Sequence, residues 1–366
     1  MDEHIGRRRA LLRGGGALGV VAVGASALSL GLGGGQAQAS TAVGPWTYVA
    51  PGESIQDAIT AGALAIQLGQ GTYSISAPIV TTAGLMLRGL GQRTRLVATA
   101  TMSAMVEIGS GGPIDGVNLA DLLLDCGAGK ADIGIDLNIV GTGGNYRGEP
   151  DSVCRLDDLW VYRPVLDGIV YRGTDTQACA TTRVRIREAG RYGFRVEAPD
   201  NWWNQCEATT TTQTGTSAGF YVGKAITGSN GIGAGNNFFQ ACKAWYCRDY
   251  GWHVKGNRNK FIGCEAQDIR SHGFYIEWDQ NTFTNCVVDT AGLGDVGGVA
   301  GTADGFYAAG GMVATSIVGC QAFDRKPGGA AAQQRYGFNV PAAMVTDGLL
   351  LAPTGWNNLS GLVNQR

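Results

Sequence analysis

Residues 237–258 read NFFQACKAWYCRDYGWHVKGNR, residues 259–280 read NKFIGCEAQDIRSHGFYIEWDQ, and residues 281–294 read NTFTNCVVDTAGLG. The three stretches share the template N-x-F-x-x-C, followed by a turn and then G-aromatic-x-aliphatic, with a spacing of 22 residues. The second half of the template recurs as DGIV (167–170), YGFRV (192–196), AGFYV (218–222), DGFYA (304–308) and YGFNV (336–340). Internal repetition of this kind decides the architecture before any single element is assigned.

The apolar runs of the repeat are short, alternate with period two and are rich in Phe, Tyr, Val and Ile, which is typical of β-strands. A unit of 22 residues cannot bury its own apolar face, but stacked units form one continuous core. Strands of neighbouring coils then pair in parallel, about 4.8 Å apart. Helical solenoids and propellers require longer units. The sequence therefore predicts an all-β chain that folds as a right-handed parallel β-helix, a solenoid.

The register of the repeat predicts which side chains fill the interior. Cys242, Cys264 and Cys286 occupy one position in successive coils, so we expect a ladder of buried thiols that Cys206 and Cys320 extend. Disulfides between adjacent coils are the alternative, but parallel side chains are poorly placed for the required dihedral angle. A second interior stack is predicted for Trp252, Phe274, Phe306 and Phe338.

Residues 1–39 are predicted to be a signal peptide. The run Arg7-Arg8-Arg9-Ala10-Leu11-Leu12 resembles a twin-arginine (Tat) export signal, a weakly apolar stretch follows it, and Ala37-Gln38-Ala39 forms a cleavage site before Ser40. An uncleaved membrane anchor is the alternative. The signal predicts a secreted, extracellular protein exported by the twin-arginine route.

Charge and composition exclude several classes of partner. The leader holds four arginines and two acidic residues, so the remaining chain has 24 basic and 28 acidic residues. This excess of acid gives no support for a nucleic-acid partner. No later segment has 18 consecutive apolar residues, so we expect no membrane partner after signal cleavage. No cofactor is predicted, because no Cys/His cluster has zinc spacing. Calcium is possible but unsupported, because no acidic loop has its ligand spacing.

The chain before the repeats is predicted to begin the β-helix with a helix. Residues 53–66, ESIQDAITAGALAI, place Ile55, Ala58, Ile59 and Leu64 on one helical face. We therefore predict a helix over about 53–66, coils over about 66–350, and a single domain over 40–366.

Three segments carry a family resemblance. SIQDAI (54–59), QLGQGTYSI (67–75) and LMLRGLGQRTRLV (85–97) resemble the entry to the pectate-lyase superfamily of single-stranded right-handed β-helices. The resemblance implies that the helix caps the open end of the solenoid and that the GTY strand opens the first coil. Neither the catalytic signature of polygalacturonases nor that of calcium-dependent pectate lyases is identifiable, so no functional residue is transferred from the family.

Outward positions on the G-aromatic-x-aliphatic strand form two ladders. The first is Asp136, Val170, Arg195, Tyr221, His253, Tyr275, Tyr307 and Asn339, and the second, two residues on, is Asn138, Arg172, Glu197, Gly223, Lys255, Glu277 and Ala309. A solvated face also carries polar residues, but this one concentrates rings that can stack on sugars and groups that can move protons.

The candidate catalytic residues are Glu277, His253, Lys255, Arg195, Tyr275 and Asp279. The candidate substrate-binding residues are Glu197, Tyr221, Tyr307 and Trp245, the last on a second outward face that follows the cysteine strand. A hydrolase would pair Glu277 with Glu197, Asp279 or Asp289. A lyase acting on uronic acids would use a cation and a base among His253, Lys255, Arg195 and Tyr275.

Two functions are compatible with this face. The first is a secreted carbohydrate-active enzyme that cleaves a polysaccharide or oligosaccharide, as a lyase or as a glycoside hydrolase or transferase. The second is a non-catalytic glycan-binding or cell-surface protein. The expected partner in both cases is a carbohydrate. A monomer and a homotrimer are both open, because a related family of β-helix fructan transferases works as a trimer.

Overall fold

The chain is described by a computed structural model that covers residues 42–43, 45–141, 153–211, 217–223, 233–312, 314–326 and 331–366. The predicted signal peptide, residues 1–39, lies outside these described residues. The strands, in chain order, are β1 (Ala42–Val43), β2 (Trp46–Val49), β3 (Ala65–Leu68), β4 (Gly71–Ile75), β5 (Ile79–Val80), β6 (Met86–Arg88), β7 (Thr94–Ala98), β8 (Met102–Gly112), β9 (Asn118–Asp125), β10 (Ala131–Ile139), β11 (Arg155–Tyr162), β12 (Asp167–Arg172), β13 (Ala180–Thr182), β14 (Arg185–Ala189), β15 (Tyr192–Val196), β16 (Trp202–Asn204), β17 (Glu207–Thr210), β18 (Ala218–Val222), β19 (Phe238–Gln240), β20 (Lys243–Trp245), β21 (Tyr250–Val254), β22 (Lys260–Ile262), β23 (Glu265–Ile269), β24 (Phe274–Ile276), β25 (Thr282–Thr284), β26 (Val287–Ala291), β27 (Phe306–Ala308), β28 (Ser316–Val318), β29 (Gln321–Phe323), β30 (Tyr336–Val340), β31 (Leu350–Leu351) and β32 (Gly361–Gln365). The helices are α1 (Ile55–Thr60), a short helical turn α2 (Gly127–Lys130), α3 (Ala342–Thr346) and a 3₁₀ turn at Gly294–Val296.

Strands of successive coils stack into three parallel sheets. Sheet 1 is an 11-stranded stack of β5, β8, β10, β12, β15, β18, β21, β24, β27, β30 and β32. Sheet 2 contains β4, β7, β14, β17, β20, β23, β26 and β29. Sheet 3 contains β2, β3, β6, β13, β16, β19, β22, β25, β28 and β31. The longer β9 and β11 pass through sheets 2 and 3.

One copy of the repeat makes one turn of the solenoid. In residues 259–280, β22 belongs to sheet 3, β23 to sheet 2 and β24 to sheet 1. Each of these strands pairs in parallel with the strand one repeat later. The predicted right-handed parallel β-helix is confirmed.

The predicted cysteine ladder fills the interior. Cys206, Cys242, Cys264, Cys286 and Cys320 are fully buried, and the Sγ of Cys320 accepts a hydrogen bond from the backbone N–H of Cys286 at 3.3 Å. All nine cysteines lie among the described residues, and all are buried free thiols without a disulfide. The expectation of stacked thiols is therefore confirmed.

Two columns of aromatic rings complete the core. The predicted column behind sheet 1 is present, with ring centroids 4.0–5.5 Å apart along Phe220, Trp252, Phe274, Phe306 and Phe338. A second column behind sheet 3, with spacings of 4.5–5.0 Å, contains Trp203, Phe239, Phe261 and Phe283.

A ladder of buried asparagines fixes the turn that leads into sheet 3. The Oδ1 atom of Asn237 accepts from the backbone N–H of Asn201 at 3.0 Å, and Asn259 does the same for Asn237 at 2.9 Å. Asn281 continues the series for Asn259 at 3.0 Å. These side chains satisfy backbone donors that would otherwise be buried without a partner. They are the first residue of the N-x-F-x-x-C template.

The predicted helix over 53–66 is wrong in its length. Helix α1 begins after Ser54, whose Oγ accepts from the N–H of Asp57 at 3.0 Å, and it ends at Thr60. Gly62 then adopts a φ of +91°, which turns the chain into β3. Ile55 and Ile59 are buried as expected, whereas Leu64 is 53% exposed. No helix in the described part of the chain is long and apolar enough to cross a membrane.

Candidate functional site

The outer face of sheet 1 presents the two predicted ladders in the predicted register. Arg195 pairs with Tyr221, Tyr221 with His253, and His253 with Tyr275. Because Val254 pairs with Ile276, the next positions, Lys255 and Glu277, are also neighbours on adjacent coils. Parallel pairing without an offset therefore brings residues 22 or more positions apart onto one surface.

Glu277 is the centre of a cluster of ionisable groups at the end of β24. Its Oε1 lies 2.8 Å from Nε2 of His253, and its Oε2 lies 3.1 Å from Nζ of Lys255. The carboxylate is partly exposed, whereas the imidazole is buried. We define the Glu277 cluster as Glu277, His253, Lys255 and Tyr275.

The environment separates the pKa values of the cluster. Burial raises the pKa of Glu277, but hydrogen bonds from His253 and Lys255 outweigh it, and the net pKa lies below the ordinary value. Burial lowers the pKa of His253 despite its bond to Glu277. Burial, and secondarily the charge of Glu277, raises the pKa of Tyr275 to about 12. At neutral pH the cluster therefore holds a carboxylate, a neutral imidazole and a protonated phenol.

The two nitrogens of His253 have different environments. An ionised carboxylate only accepts hydrogen bonds, so Nε2 carries the proton and donates to Glu277. Nδ1 is then an unprotonated acceptor, and it is buried without a hydrogen-bond partner in the part of the chain that the structure describes. Buried polar atoms without a hydrogen-bond partner are rare in folded proteins.

Aromatic rings surround His253 and continue across the coils. The rings of Tyr221, Tyr250 and Tyr275 have centroids 5.1–5.3 Å from the imidazole. Tyr192 stacks on Tyr221 at 4.5 Å and so extends the surface toward earlier coils. The tyrosine-lined face thus spans neighbouring coils, which suits an extended ligand.

A second ionic cluster lies on the same face at Arg195. Its guanidinium donates twice to Oε1 of Glu197, at 2.9 and 2.7 Å, and lies 3.5 Å from the buried carboxylate of Asp167. Arg191 donates to the same Asp167. Tyr221 pairs with Arg195 on one side and with His253 on the other, so this tyrosine lies between the two clusters.

Besides Arg195, Glu197 and Tyr221, three further predicted site residues lie outside the Glu277 cluster. Asp279 is in the turn after β24, where its Oδ1 accepts from the N–H of Ala314 at 2.9 Å and from Oγ1 of Thr315 at 3.0 Å. Trp245 is on sheet 2, with the guanidinium of Arg187 5.0 Å from its ring. Tyr307 remains on sheet 1, but Arg366 lies over its ring at 4.4 Å and donates to its hydroxyl.

Sequence reasoning missed three ring residues of this face, namely Tyr192, Tyr250 and His272. Tyr250 stacks on Tyr275 at 4.7 Å, and His272 stacks on Tyr307 at 4.7 Å. All three directly precede the glycine with which the sheet 1 template begins, and that shared position was the available signal. Burial lowers the pKa of His272 to about 4, and its Nδ1 accepts from the N–H of Asp304, so it packs as a neutral ring.

Within the described residues, no group of three or more His, Cys, Asp or Glu side chains is arranged to hold a metal ion.

Comparison with known proteins supports the architecture. The family model described as "Right handed beta helix region" matches residues 167–340. No curated protein matches the sequence significantly.

Solved structures of similar fold have low sequence identity. A variant of the catalytic domain of a GH87 alpha-1,3-glucanase, in complex with nigerose, superposes with a TM-score of 0.56 at 16% identity over 89% of this chain and 67% of that one. The A-module of the Azotobacter vinelandii mannuronan C-5 epimerase gives 0.50 at 15% over 85% and 91%. The enzymatically active domain of tailspike protein 2 of bacteriophage CBA120 gives 0.52 at 12% over 77% and 42%.

These structural superpositions support the fold. Because the sequence identities are low, the activity must be argued from the site. The chain is a right-handed parallel β-helix protein. Its distinguishing surface is the outer face of sheet 1, where the Glu277 cluster is set among tyrosine rings.

Proposed function

We propose that the protein is an exported enzyme that acts on a polysaccharide along the outer face of sheet 1, by removing a proton from a sugar ring. The observation that carries this proposal is the bridging position of Glu277 between His253 and Lys255. This contact places a base (His253), an orienting carboxylate (Glu277) and a cation (Lys255) side by side. A lyase that acts on uronic acids requires these three groups.

The pKa values favour particular roles. His253, neutral with a free lone pair on Nδ1, is the base that takes the proton next to the sugar carboxylate. Glu277 holds the imidazole and stabilises the imidazolium that forms. Tyr275, protonated at neutral pH, gives its proton to the leaving glycosidic oxygen. The C–H and C–O bonds break, a C=C bond forms in the ring, and both side chains then exchange protons with water.

Substrate binding has two requirements in this scheme. Because Nδ1 of His253 is buried, the tyrosine rings around it must shift when the glycan binds. The carboxylate of the sugar must also draw Lys255 and Arg195 from their present partners, Glu277 and Glu197. A uronic acid can do so because it offers the same charge-assisted hydrogen bonds.

Paired-carboxylate hydrolysis has less support from the geometry. Glu197 is bound by Arg195 and stands three coils from Glu277, or about 14 Å at the spacing of paired strands. Inverting hydrolases hold their carboxyl groups about 6.5–9.5 Å apart. Asp279 is occupied by the turn at 314–315, and Asp289 lies on sheet 2.

The names of the structural neighbours add support of a coarser kind. They include an alpha-1,3-glucanase bound to nigerose and a mannuronan C-5 epimerase. Both names denote action on carbohydrates, and the second concerns a uronic acid polymer. At 15–16% identity they favour a glycan as substrate without assigning the reaction.

A non-catalytic glycan-binding protein is the second candidate. The observation in its favour is that the charged groups of this face already pair with one another, as Arg195 does with Glu197. Such a surface can bind through its rings without any proton transfer.

The test is a product analysis of the purified protein on polygalacturonate, polymannuronate and neutral glucans. We expect products of the uronic acid polymers that absorb in the ultraviolet, because elimination leaves a double bond next to the carboxylate. New reducing ends without that absorbance would overturn the lyase in favour of a hydrolase. Binding without any turnover would favour the non-catalytic candidate.

We also propose that residues 1–39 direct export by the twin-arginine route, on the evidence of the Arg7-Arg8-Arg9 run and the Ala37-Gln38-Ala39 cleavage site. Replacing Arg7, Arg8 and Arg9 together by lysine should retain the protein inside the cell. Unchanged secretion of this variant would overturn the proposal.

Light scattering of the secreted wild type would decide between monomer and homotrimer.

A further inference from the structure

Sheet 3 carries a solvent-exposed aromatic surface, on a different face of the solenoid from the Glu277 cluster, which lies on sheet 1. Trp202 in β16 pairs with Phe238 in β19, and Phe238 pairs with Lys260 in β22. All three side chains point away from the core, and that of Trp202 is 48% exposed. We propose that this surface is a second glycan-binding site, which binds the rings of a neutral oligosaccharide on Trp202 and Phe238.

Two cavities meet at Trp202. One, of about 510 Å³, is lined by Asp200, Trp202, Asn236, Phe238 and Lys260. The other, also about 510 Å³, lies on the opposite side of Trp202 and is lined in part by Arg155, Asp157 and Thr182. Both cavities are lined by Trp202. They therefore flank its indole along the row of outward residues that runs from Arg155 to Lys260 across successive coils, and we refer to the two together as the groove.

The small side chain of Ala180 opens the groove beside Trp202. Ala180 pairs with Trp202 on one side and with Arg155 on the other, so it occupies the same outward row. A large residue there would fill the space next to the indole. The row from Arg155 to Lys260 thus offers a sugar-sized space on each side of one exposed aromatic ring.

Polar groups line one edge of the groove. Lys260 donates from Nζ to Oδ1 of Asn236, and Asn236 donates from Nδ2 to the carboxylate of Asp200. Sugar recognition combines aromatic faces with donors and acceptors of this type at their edge. The hydroxyl groups of a sugar can replace or join this chain of hydrogen bonds.

The turn that holds these polar groups is fixed before any ligand arrives. Asp200 and Asn236 have φ values of +59° and +58°, in the left-handed region that Asp and Asn tolerate best after Gly. Each is followed by a member of the asparagine ladder, Asn201 or Asn237, which is fully buried and bonded to the next coil. A fixed turn reduces the entropy lost on binding.

The charges of the groove are balanced, which favours a neutral ligand. Lys260 is offset by Asp200, and Arg183 at the other end donates to both Asp157 and Asp158. Arg155 is the third basic group, and the three are set against Asp157 and Asp200 in the lining and Asp158, which is bound by Arg183. Anionic polymers are usually bound by an excess of Arg and Lys, which this groove lacks.

This groove is separate from the proposed active site, because the groove is on sheet 3 and the Glu277 cluster is on sheet 1. The test is isothermal titration calorimetry of the full protein with laminarihexaose, maltohexaose, cellohexaose and xylohexaose, and with trigalacturonate as the charged comparison. We expect at least one neutral oligosaccharide to bind. W202A should weaken that binding by about tenfold, as expected for the loss of one stacking contact.

Two further variants keep the test specific. W202F should retain most of the affinity, because it keeps a ring in the same row. W356A removes a tryptophan of similar exposure, 52%, that stacks on Phe323 instead, and its affinity should equal that of the wild type. The proposal is overturned if no neutral oligosaccharide binds, if W202A binds as tightly as the wild type, or if W356A loses as much. The readout is binding, so it is independent of whether the Glu277 cluster is catalytic.

Discussion

The Nε2 atom of His253 lies 2.8 Å from the Oε1 atom of Glu277, although the two residues are 24 positions apart in the chain. The contact joins β21 to the end of β24 on the next coil, so stacking of the coils creates it. It fixes the tautomer of His253 and leaves Nδ1 as the free lone pair. The proposed proton transfer depends on this contact between His253 and Glu277.

Removing the charge of Glu277 should abolish most of the turnover. We expect E277Q to lower kcat by about 100-fold or more while the fold is retained, because the imidazolium that forms on His253 loses the carboxylate that orients and stabilises it. E265Q is the matched control, because Glu265 is an outward glutamate that also pairs with a lysine, Lys243, at 2.9 Å, but on sheet 2. Equal activity of the two variants would contradict the assignment.

The pKa of His253 should respond in opposite directions to its two charged neighbours. Glu277 raises this pKa and Lys255 lowers it. The imidazole of E277Q should therefore titrate at lower pH than that of the wild type, and the imidazole of K255M at higher pH. Proton NMR of the histidine ring measures both values without any substrate, and shifts of the same sign would disprove the arrangement.

Protonation of His272 should destabilise the fold in acid. Its folded pKa of about 4 lies below the ordinary unfolded value, so the unfolded state binds the proton first as the pH falls. Stability is complete above about pH 6.5 and should fall by about 3 kcal/mol as the pH approaches 4. Denaturant unfolding of H272Q should show a smaller loss over this range than the wild type. Parallel curves for the two proteins would refute this role.

The asparagine ladder should contribute strongly to stability. In N259A the backbone N–H of Asn237 and the carbonyl of Ala234 lose their partner, and two buried unpaired groups cost about 2–6 kcal/mol. N204A tests an asparagine of sheet 3 whose side chain makes no hydrogen bond among the described residues, and it should cost less than about 1 kcal/mol. Urea unfolding compares the two, and equal losses would argue against the ladder.

The thiols should be unreactive in the native protein. Burial raises the pKa of Cys247 to about 12, and all nine cysteines are buried. A thiol reagent at neutral pH should find no reactive group until the chain is unfolded, and should then titrate nine without added reductant. A smaller number after unfolding would reveal disulfides.

The sequence predicted the register of sheet 1 because two features fix it together. The strands alternate with period two, and a glycine opens each copy of the template. A Cβ at Gly251 would lie 2.6 Å from the carbonyl oxygen of Gly273, so the row of glycines packs directly against the next coil. That close approach locks the neighbouring strands and brings His253 beside Tyr275 as predicted.

The same template explains what was missed. The template begins at the glycine, so the residue before it, which is Tyr250 or His272, is not among the predicted site residues. In N-x-F-x-x-C, the second position differs between copies, and no site residue is predicted there. That position is Trp202 and Phe238 in two successive coils. The constant positions of the repeat define the scaffold, whereas the surface that we propose to bind a glycan on sheet 3 is formed by positions that vary.

The nine buried thiols have a consequence for the timing of folding. A chain that reached an oxidising compartment unfolded would expose its thiols, and pairs of them would be free to form disulfides whose geometry the stacked coils disfavour. Once the coils have stacked, the thiols are out of reach of oxidants. For the export route proposed above, the chain should therefore complete its fold in a reducing environment beforehand.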